Sequence, residues 1–184
     1  MRYILIDRYL ELEKGRRGKA VKTVTHGEDF LEYGISPLPV MPASLVVECQ
    51  AQVAGVLATA TADFDGKGLL AKVDRAEFYR PITVGDRLIV TALMQNRMGT
   101  TSAVDTVVEV DGVPVARMNL FLAILGFDSE EGRNFDTPKF FHNRDELLQE
   151  IGVYDLIGGR PAHMDRGGHV AASSNHDRPA LRAE

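Results

Sequence analysis

The sequence predicts an α+β fold in which a six-stranded antiparallel sheet curves around one long central helix. Segments that favour strands occur twice before an apolar, helix-forming run and four times after it. The last two of these segments meet at Asp111-Gly112, a dipeptide that strongly favours a two-residue hairpin. A sheet with one apolar face needs a cover, and the central helix is the element that can supply it.

The first two strands are predicted from Tyr3 to Leu12 and from Lys19 to Thr25. Both segments are rich in residues that favour strands. The connection EKGRRG between them carries glycines and is short enough for a hairpin. The two strands are therefore expected to pair antiparallel.

The central helix is predicted from Ala43 to Ala62. The run ASLVVECQAQVAGVLATATA contains good helix formers and is longer than a buried strand normally is. It is apolar nearly all round, which in a soluble protein predicts burial on most of its faces. The alternative is a membrane-spanning helix, and Glu48, Gln50 and Gln52 argue against it.

Four further strands are predicted after the helix. The segment RMGT supplies a turn between the second and third of them, and Asp111-Gly112 joins the third and fourth. Strands joined by hairpins pair antiparallel, so these four are expected to form one sheet. The predicted strands are Leu69 to Tyr79, Arg87 to Gln95, Ser102 to Val110, and Val113 to Leu125.

Three regions are predicted along the chain. Residues 1–126 form the main domain, and residues 127–157 form a surface extension with a short helix that Asn143 could cap. Leu147, Leu148 and Ile151 would share one face of that helix. Residues 158–184 are rich in Gly, Ser, Pro and charged residues, so this tail is expected to be flexible and dispensable for folding.

Composition narrows the class of protein. The 184 residues are 45% hydrophobic and 26% charged, with a net charge of -5, so no basic surface for nucleic acid is expected. Cys49 is the single cysteine, which rules out an intrachain disulfide and fits a reducing compartment. The first apolar run is broken by Asp7 and Arg8, too early for a signal peptide or a membrane span. A cytoplasmic protein without membrane insertion is predicted.

Neither a metal nor a cofactor is predicted. The chain lacks the paired Cys/His spacing of a structural zinc site. His163, His169 and His176 lie in the predicted flexible tail, where ligands would lack the surrounding hydrogen bonds that hold a metal site.

Glu48 is the candidate functional residue because a carboxylate in an apolar helix is costly to bury. Gln52 lies one turn further on, so the two side chains would share a helix face. The amide of Ala43 lies in the first turn, where backbone N–H groups can polarise a carbonyl such as that of a thioester. The alternative is that Glu48 lies on a solvated strip, favoured by the positive end of the helix dipole.

Three motifs resemble the bacterial 3-hydroxyacyl-acyl-carrier-protein dehydratases, which have the hot dog fold. YILIDRYLELEKG is similar to the opening strand F-L-L-V-D-R-V-L-E-L-E-P-G of that family. PVMPASLVVECQAQ resembles P-V-M-P-G-V-L-I-V-E-A-L-A-Q, and AEFYRPITVGDRL resembles A-K-F-R-R-P-V-x-P-G-D-x-L. The resemblance extends from about Tyr3 to Leu125 and implies a hot dog fold with the central helix inside the sheet.

The resemblance also implies site residues. The family glutamate falls on Glu48, its following glutamine on Gln52, and the amide that holds the thioester carbonyl on Ala43. The resemblance places Met41 and Tyr33 beside the substrate.

The catalytic histidine of the family comes from H-F-P-G-x-P-x-M-P, and its position here is Gly34. In the family, this histidine and the glutamate come from different subunits of a dimer. Tyr33, Glu32 and His26 are the candidates to replace the missing base.

Three functions remain open from the sequence. The first is a dehydratase, a lyase, for 3-hydroxyacyl thioesters in fatty-acid or related acyl-chain metabolism. The second is a thioesterase in which Glu48 activates water. The third is a non-catalytic acyl-binding subunit paired with an active relative. The expected partners are an acyl thioester of acyl-carrier protein or coenzyme A, and a second hot dog subunit in a homodimer or heterodimer.

Overall fold

The structure, a computed structural model, describes residues 4–34, 36–134, 138–162 and 164. It contains six strands and four helices in these residues, in the predicted order of two strands, a long helix and four strands, followed by three helices in the C-terminal extension. The elements are β1 Arg8–Glu13, β2 Arg17–Thr23, α1 Ala43–Thr61, β3 Lys67–Phe78, β4 Arg87–Met98, β5 Thr101–Val110, β6 Val113–Leu125, α2 Glu130–Arg133, α3 Pro138–Glu150 and α4 Val153–Leu156.

The six strands form one antiparallel sheet in the order β1-β2-β4-β5-β6-β3. β5 and β6 pair through the turn at Asp111 and Gly112, with Val110 opposite Val113. Both turn residues have positive φ, 53° and 78°, as a type I′ hairpin requires. The predicted α+β architecture, a curved sheet around a central helix, is confirmed.

One face of α1 packs into the curved sheet. Val53, Leu57 and Ala60 on this face are completely buried. Gln50 is buried with them, and its Oε1 accepts a hydrogen bond of 2.7 Å from the hydroxyl of Thr106 on β5. The side-chain amide nitrogen of Gln50, Nε2, donates to the backbone carbonyl of Val46 at 3.3 Å. These bonds satisfy a polar side chain that would otherwise be costly in the core.

The prediction that α1 is buried on most faces is only half right. By length and composition this helix could span a membrane, but half of it is buried in the fold, as in many core helices of soluble proteins. The other face, which carries Glu48 and Gln52, is left uncovered by the sheet. A helix inside a single curved sheet retains one open side, and sequence hydropathy does not reveal which residues occupy it.

Two predicted boundaries are corrected by the structure. β1 begins at Arg8 because the preceding residues turn inward: Leu5 and Ile6 are 2% and 4% exposed. The extension helix α3 begins at Pro138, so Asn143 lies inside the helix and does not cap it. Proline is favoured in the first turn of a helix, where its missing N–H has no intrahelical acceptor to lose.

The C-terminal extension is packed more tightly than a surface appendage. Leu148, Ile151 and Val153 are at most 4% exposed and belong to the same core cluster as α1. The amide of Tyr9 donates to the carbonyl of Ile151 at 2.7 Å, which fixes the extension to the start of β1.

The first residues of the predicted flexible tail are also docked. Met164 is 3% exposed and lies in the core cluster, and Arg160 donates to the Asp145 carboxylate at 2.5 Å and to the Met164 carbonyl at 3.1 Å. The expectation that the tail is flexible from residue 158 is therefore wrong for this short stretch, and its contribution to folding is a matter for truncation. The remaining prediction, for residues 165–184 with His169 and His176, lies outside the described residues, as does His163.

Two truncations test where the dispensable region begins. A chain that ends at Met164 is expected to keep its thermal midpoint within about 1 °C. A chain that ends at Ile157 should melt about 5 °C lower, because it loses the burial of Met164, worth about 1.5–3 kcal/mol, at about 2–4 °C per kcal/mol for a chain of this size. Calorimetric scans of both proteins measure the difference. Equal melting of the two truncated chains would contradict the docked position of Met164.

The long edge strand β3 predicts dimerisation. Within the described residues β3 pairs with β6 on one side only, and Leu70 and Val73 are 39% and 37% exposed in the single chain. An unpaired strand of 12 residues invites pairing with another chain. We expect a two-fold dimer in which the two sheets join at β3 and the central helices lie near each other. Sedimentation at micromolar concentration should show the dimer, and a stable monomer would refute this expectation.

Candidate functional site

A cavity of about 630 Å³ lies along the uncovered face of α1, within the usual range for small-molecule pockets. Six residues of α1 line it at helical spacing, and the N-terminal segment, the start of β3 and α3 form its other walls. Most of the lining is apolar. Gly68 at the start of β3 lies close to the helix, since a Cβ there would be 3.0 Å from a methyl group of Thr59. The lining residues of α1 are Glu48, Ala51, Gln52, Gly55, Val56 and Thr59.

A chain of hydrogen bonds positions Glu48 at the cavity. The side-chain amide of Gln52 donates to Oε1 of Glu48 at 3.0 Å. Oε1 of Gln52 in turn accepts the backbone amide of Leu5 at 3.0 Å. Because the backbone N–H can only donate, it fixes the orientation of the glutamine, whose NH₂ must then point toward the carboxylate. The predicted pairing of Glu48 and Gln52 on one helix face is confirmed.

Glu48 is exposed in the single chain, so the expected desolvation of a buried carboxylate is not found. Its exposure agrees with the alternative of a solvated carboxylate, but α1 has no acidic residue in its first turn, so the helix dipole contributes little at Glu48. It nevertheless lines the cavity, which a merely solvated strip does not require. The arrangement provides an oriented carboxylate beside an apolar space, as a group that exchanges protons with a bound ligand requires.

Cys49 follows Glu48 in sequence and lies about 100° further round the helix, on a buried side. It is completely buried, and its thiol lies 3.9 Å from the carbonyl oxygen of Leu5. Burial raises the pKa of this thiol to about 12, so almost no thiolate forms near neutral pH. Cys49 is therefore a packing residue and not a nucleophile.

The proline-rich loop before α1 is held at its base. Glu32 and Val40 exchange two backbone hydrogen bonds of 2.9 Å, and the amide of Met41 donates to the carbonyl of Ile82 at 2.8 Å. Gly34, inside this loop, is exposed with φ +89°, and a Cβ built there meets none of the described residues within 4 Å. The loop thus offers open space at the position where the resemblance places a histidine.

The other predicted site residues do not line this cavity. Met41 is 3% exposed and packs in the core, whereas Tyr33 is 70% exposed. Ala43 is the first residue of α1 and is exposed. Their roles in substrate binding stay predictions.

The candidates to replace the missing base also lie away from the cavity. His26 is exposed in the turn after β2, and Glu32 and Tyr33 are exposed in the loop. Among the described residues of this one chain, Glu48 is the one carboxylate that lines the cavity. These residues contain no group of three side chains that could together bind a metal ion.

Sequence reasoning missed two contributors to the cavity. Tyr9 is 2% exposed, and its hydroxyl donates to the carbonyl of Val53 in α1, while burial raises its pKa well above the usual value. The other contributor is α3, whose residues form a wall of the cavity. The one-sided spacing of Leu147, Leu148 and Ile151 signals an amphipathic helix but not the surface it covers.

Comparison with protein families and curated proteins identifies close relatives. Residues 1–119 match the FabA-like domain. The 3-hydroxyacyl-[acyl-carrier-protein] dehydratase FabZ of Caldanaerobacter subterraneus is 39% identical over 103 residues, which are 55% of this chain and 73% of that protein. FabZ of Caldicellulosiruptor bescii is 34% identical over 123 residues, which are 66% of this chain and 88% of that protein.

Solved structures share the fold at low sequence identity. The protein smu.793 from Streptococcus mutans, solved with bound acetyl CoA, has a TM-score of 0.57 and 17% identity, covering 68% of this chain and 94% of its own. The dehydratase heterocomplex ApeI:P from Xenorhabdus doucetiae has a TM-score of 0.59 and 14% identity, covering 71% and 87%. The C-terminal extension lies beyond the matched domain, which ends at residue 119.

Proposed function

The chain belongs to the family of FabA-like domains, and on that premise we propose that it binds 3-hydroxyacyl or enoyl thioesters and acts as a dehydratase-like protein of acyl-chain metabolism. The observation that carries the proposal is the Glu48 carboxylate, oriented by Gln52 at an apolar cavity. The FabZ relatives are 3-hydroxyacyl-[acyl-carrier-protein] dehydratases, so the proposed substrate class is an acyl chain carried by acyl-carrier protein. Bound acetyl CoA in smu.793 is consistent with a thioester ligand on this fold.

The chemistry of dehydration explains what Glu48 would do. The proton next to the thioester carbonyl must leave, and the departing hydroxyl must gain a proton. Glu48 would handle one of these transfers, and the helix-start amide of Ala43 would polarise the carbonyl. The second transfer falls to the family histidine, and this chain has Gly34 at that position. A lost general acid or base costs about 10² to 10⁴ in rate, so the protein alone should dehydrate slowly.

A heteromeric dehydratase would supply the missing group. The family resemblance implies that histidine and glutamate come from different subunits, so a homodimer of this chain has Glu48 but no histidine in either site. Paired with a histidine-bearing relative, Glu48 would complete one of the two sites. The ApeI:P heterocomplex is a precedent for such pairing among dehydratases of this fold.

Complementation between two inactive proteins tests the proposal. A histidine-bearing FabZ whose own helix glutamate is changed to glutamine would be co-expressed with this chain, and the purified complex assayed for hydration of crotonyl thioesters. Activity above that of either protein alone supports a shared site, and Glu48→Gln should remove it. Release of free thiol, measured in parallel, would instead indicate a thioesterase. Absence of acyl-thioester binding by every preparation would overturn the proposed function.

A further inference from the structure

The C-terminal helix α3 forms a wall of the cavity although it lies beyond the matched family domain. The domain match ends at residue 119, and α3 spans Pro138–Glu150. The residues from this helix and its end that line the cavity are Asn143, Arg144, Leu147, Leu148 and Ile151. The family domain alone therefore does not account for this side of the cavity.

Hydrogen bonds place α3 beside the second half of α1. Arg144 donates from Nη1 to the carbonyl of Phe64, just beyond the end of α1, at 3.3 Å. Just beyond the other end of α3, the carbonyl of Ile151 accepts from the backbone amide of Tyr9. The hydroxyl of the same tyrosine donates to the carbonyl of Val53 in α1. The helix thus lies beside α1 from Val53 onward, beyond Glu48 and Gln52.

This position separates α3 from the carboxylate. Glu48 and Thr59 both line the cavity, and a rise of about 1.5 Å per residue puts them about 16 Å apart along α1. A chain whose thioester is held at Glu48 must extend past Gln52 before it meets α3. Short acyl chains would end before this wall, and longer chains would pack against it.

The wall is held in place by buried contacts. Leu148 and Ile151 are 3% and 4% exposed. The Asp145 carboxylate accepts from the hydroxyl of Tyr154 at 3.0 Å and from Arg160 at 2.5 Å, and these bonds tie α3 to the residues that follow it. Leu147 is only half-buried and lines the cavity, so its size can be changed with less effect on folding than that of Leu148.

We propose that α3 is the chain-length wall of the acyl cavity and that Leu147 is a specificity-determining residue. This inference rests on the proposed function, because it requires an acyl thioester held at Glu48. Each methylene that enters an apolar cavity improves affinity about fourfold. Affinity should therefore rise with chain length and level off at the length that reaches α3.

Titration calorimetry with straight-chain acyl-CoA thioesters, from butanoyl to dodecanoyl, tests the inference on the full-length protein. Leu147→Trp should weaken binding of the longest chains about tenfold or more and leave butanoyl within about twofold, because only long chains reach the added ring. Leu147→Ala should move the levelling-off point to longer chains and improve binding of the longest about fourfold. Gln149→Ala, an exposed position on the same helix that does not line the cavity, is the matched control and should change nothing.

The outcomes separate this inference from the proposed function. If the unmodified protein binds acyl-CoA and Leu147→Ala shifts affinity equally at all chain lengths or not at all, the wall assignment is wrong and the binding function stands. If the unmodified protein binds no acyl chain of any length, whether carried by CoA or by acyl-carrier protein, both are wrong. Leu147→Ala alone decides the matter should Leu147→Trp fail to fold, as checked by circular dichroism.

Discussion

Replacing Gly34 with histidine is expected to raise the hydration rate of crotonyl thioesters by about 10- to 100-fold over the unmodified protein. The lost base costs about 10² to 10⁴ in rate, and a misplacement of about 1 Å costs roughly 100-fold, so recovery should be partial. Glu48→Gln in the Gly34→His protein should return the rate to the unmodified level or below. Both rates follow from the absorbance of the enoyl thioester.

The geometry at Gly34 explains why recovery should be incomplete. A Cβ at Gly34 meets nothing within 4 Å in the described part of the chain, which leaves room there for an imidazole. The φ of +89° is unfavourable for a side chain, although histidine tolerates positive φ better than most residues. In the register that the resemblance implies, Ser36 and Pro37 stand where the family has the proline and glycine that orient the ring.

Gly34→Ala is the matched control for this experiment. It carries a similar backbone cost without an imidazole and should therefore gain no activity. Acyl-thioester binding should persist in Glu48→Gln if the carboxylate serves proton transfer and not binding. Robust dehydration by the unmodified protein that survives Glu48→Gln would show that both the site and the account of the missing histidine are wrong.

Gly66→Ala is expected to lower the free energy of unfolding by about 3 kcal/mol, the sum of backbone strain and overpacking of about 1–3 kcal/mol each. Gly66 is buried at the cavity, immediately before β3, with φ +153°. A Cβ there would lie 2.7 Å from the carbonyl oxygen of Leu125 and 2.8 Å from a methyl group of Ile124. The carbonyl belongs to the backbone of β6, so it cannot move aside as a flexible side chain would.

Gly85→Ala measures the backbone part of this effect, and the difference between the two variants gives the steric part. Gly85 also has positive φ, +95°, but it is exposed, and a Cβ there would meet no atom of the described residues within 4 Å. This variant should lose only about 1 kcal/mol, the cost of the backbone conformation. Urea titration of both variants gives the comparison. Similar losses for the two would show that the contact with β6 relaxes and that the close approach is not a constraint.

The order of the elements could be predicted because its signals are local. Asp111-Gly112 specifies a hairpin through the conformations that these two residues adopt, and the structure has both at positive φ. The spacing of Glu48 and Gln52 places them on one helix face, and their side chains do form a hydrogen bond. Periodicity and turn chemistry act over a few residues and do not depend on the rest of the chain.

The errors arose where distant contacts decide the structure. Asn143 has the chemistry of a helix cap, but α3 begins at Pro138. Met164 lies in a polar, glycine-rich segment, yet it is buried in the core. Local composition signals a flexible tail, whereas docking depends on an apolar surface that exists only after α1 and the sheet have assembled.

The sequence by itself determined the fold class and the position of Glu48 beside Gln52, because motifs and helical spacing are written in the chain. The placement of Gly34 at the histidine position of the family stays a prediction that rests on the resemblance. Only the tertiary structure decided that Glu48 is exposed at a cavity and that α3 forms a wall of that cavity. The physical reason is that a cavity is the space left between packed elements. Its walls depend on how residues from distant parts of the chain meet, and pairwise spacing along the sequence does not contain that information.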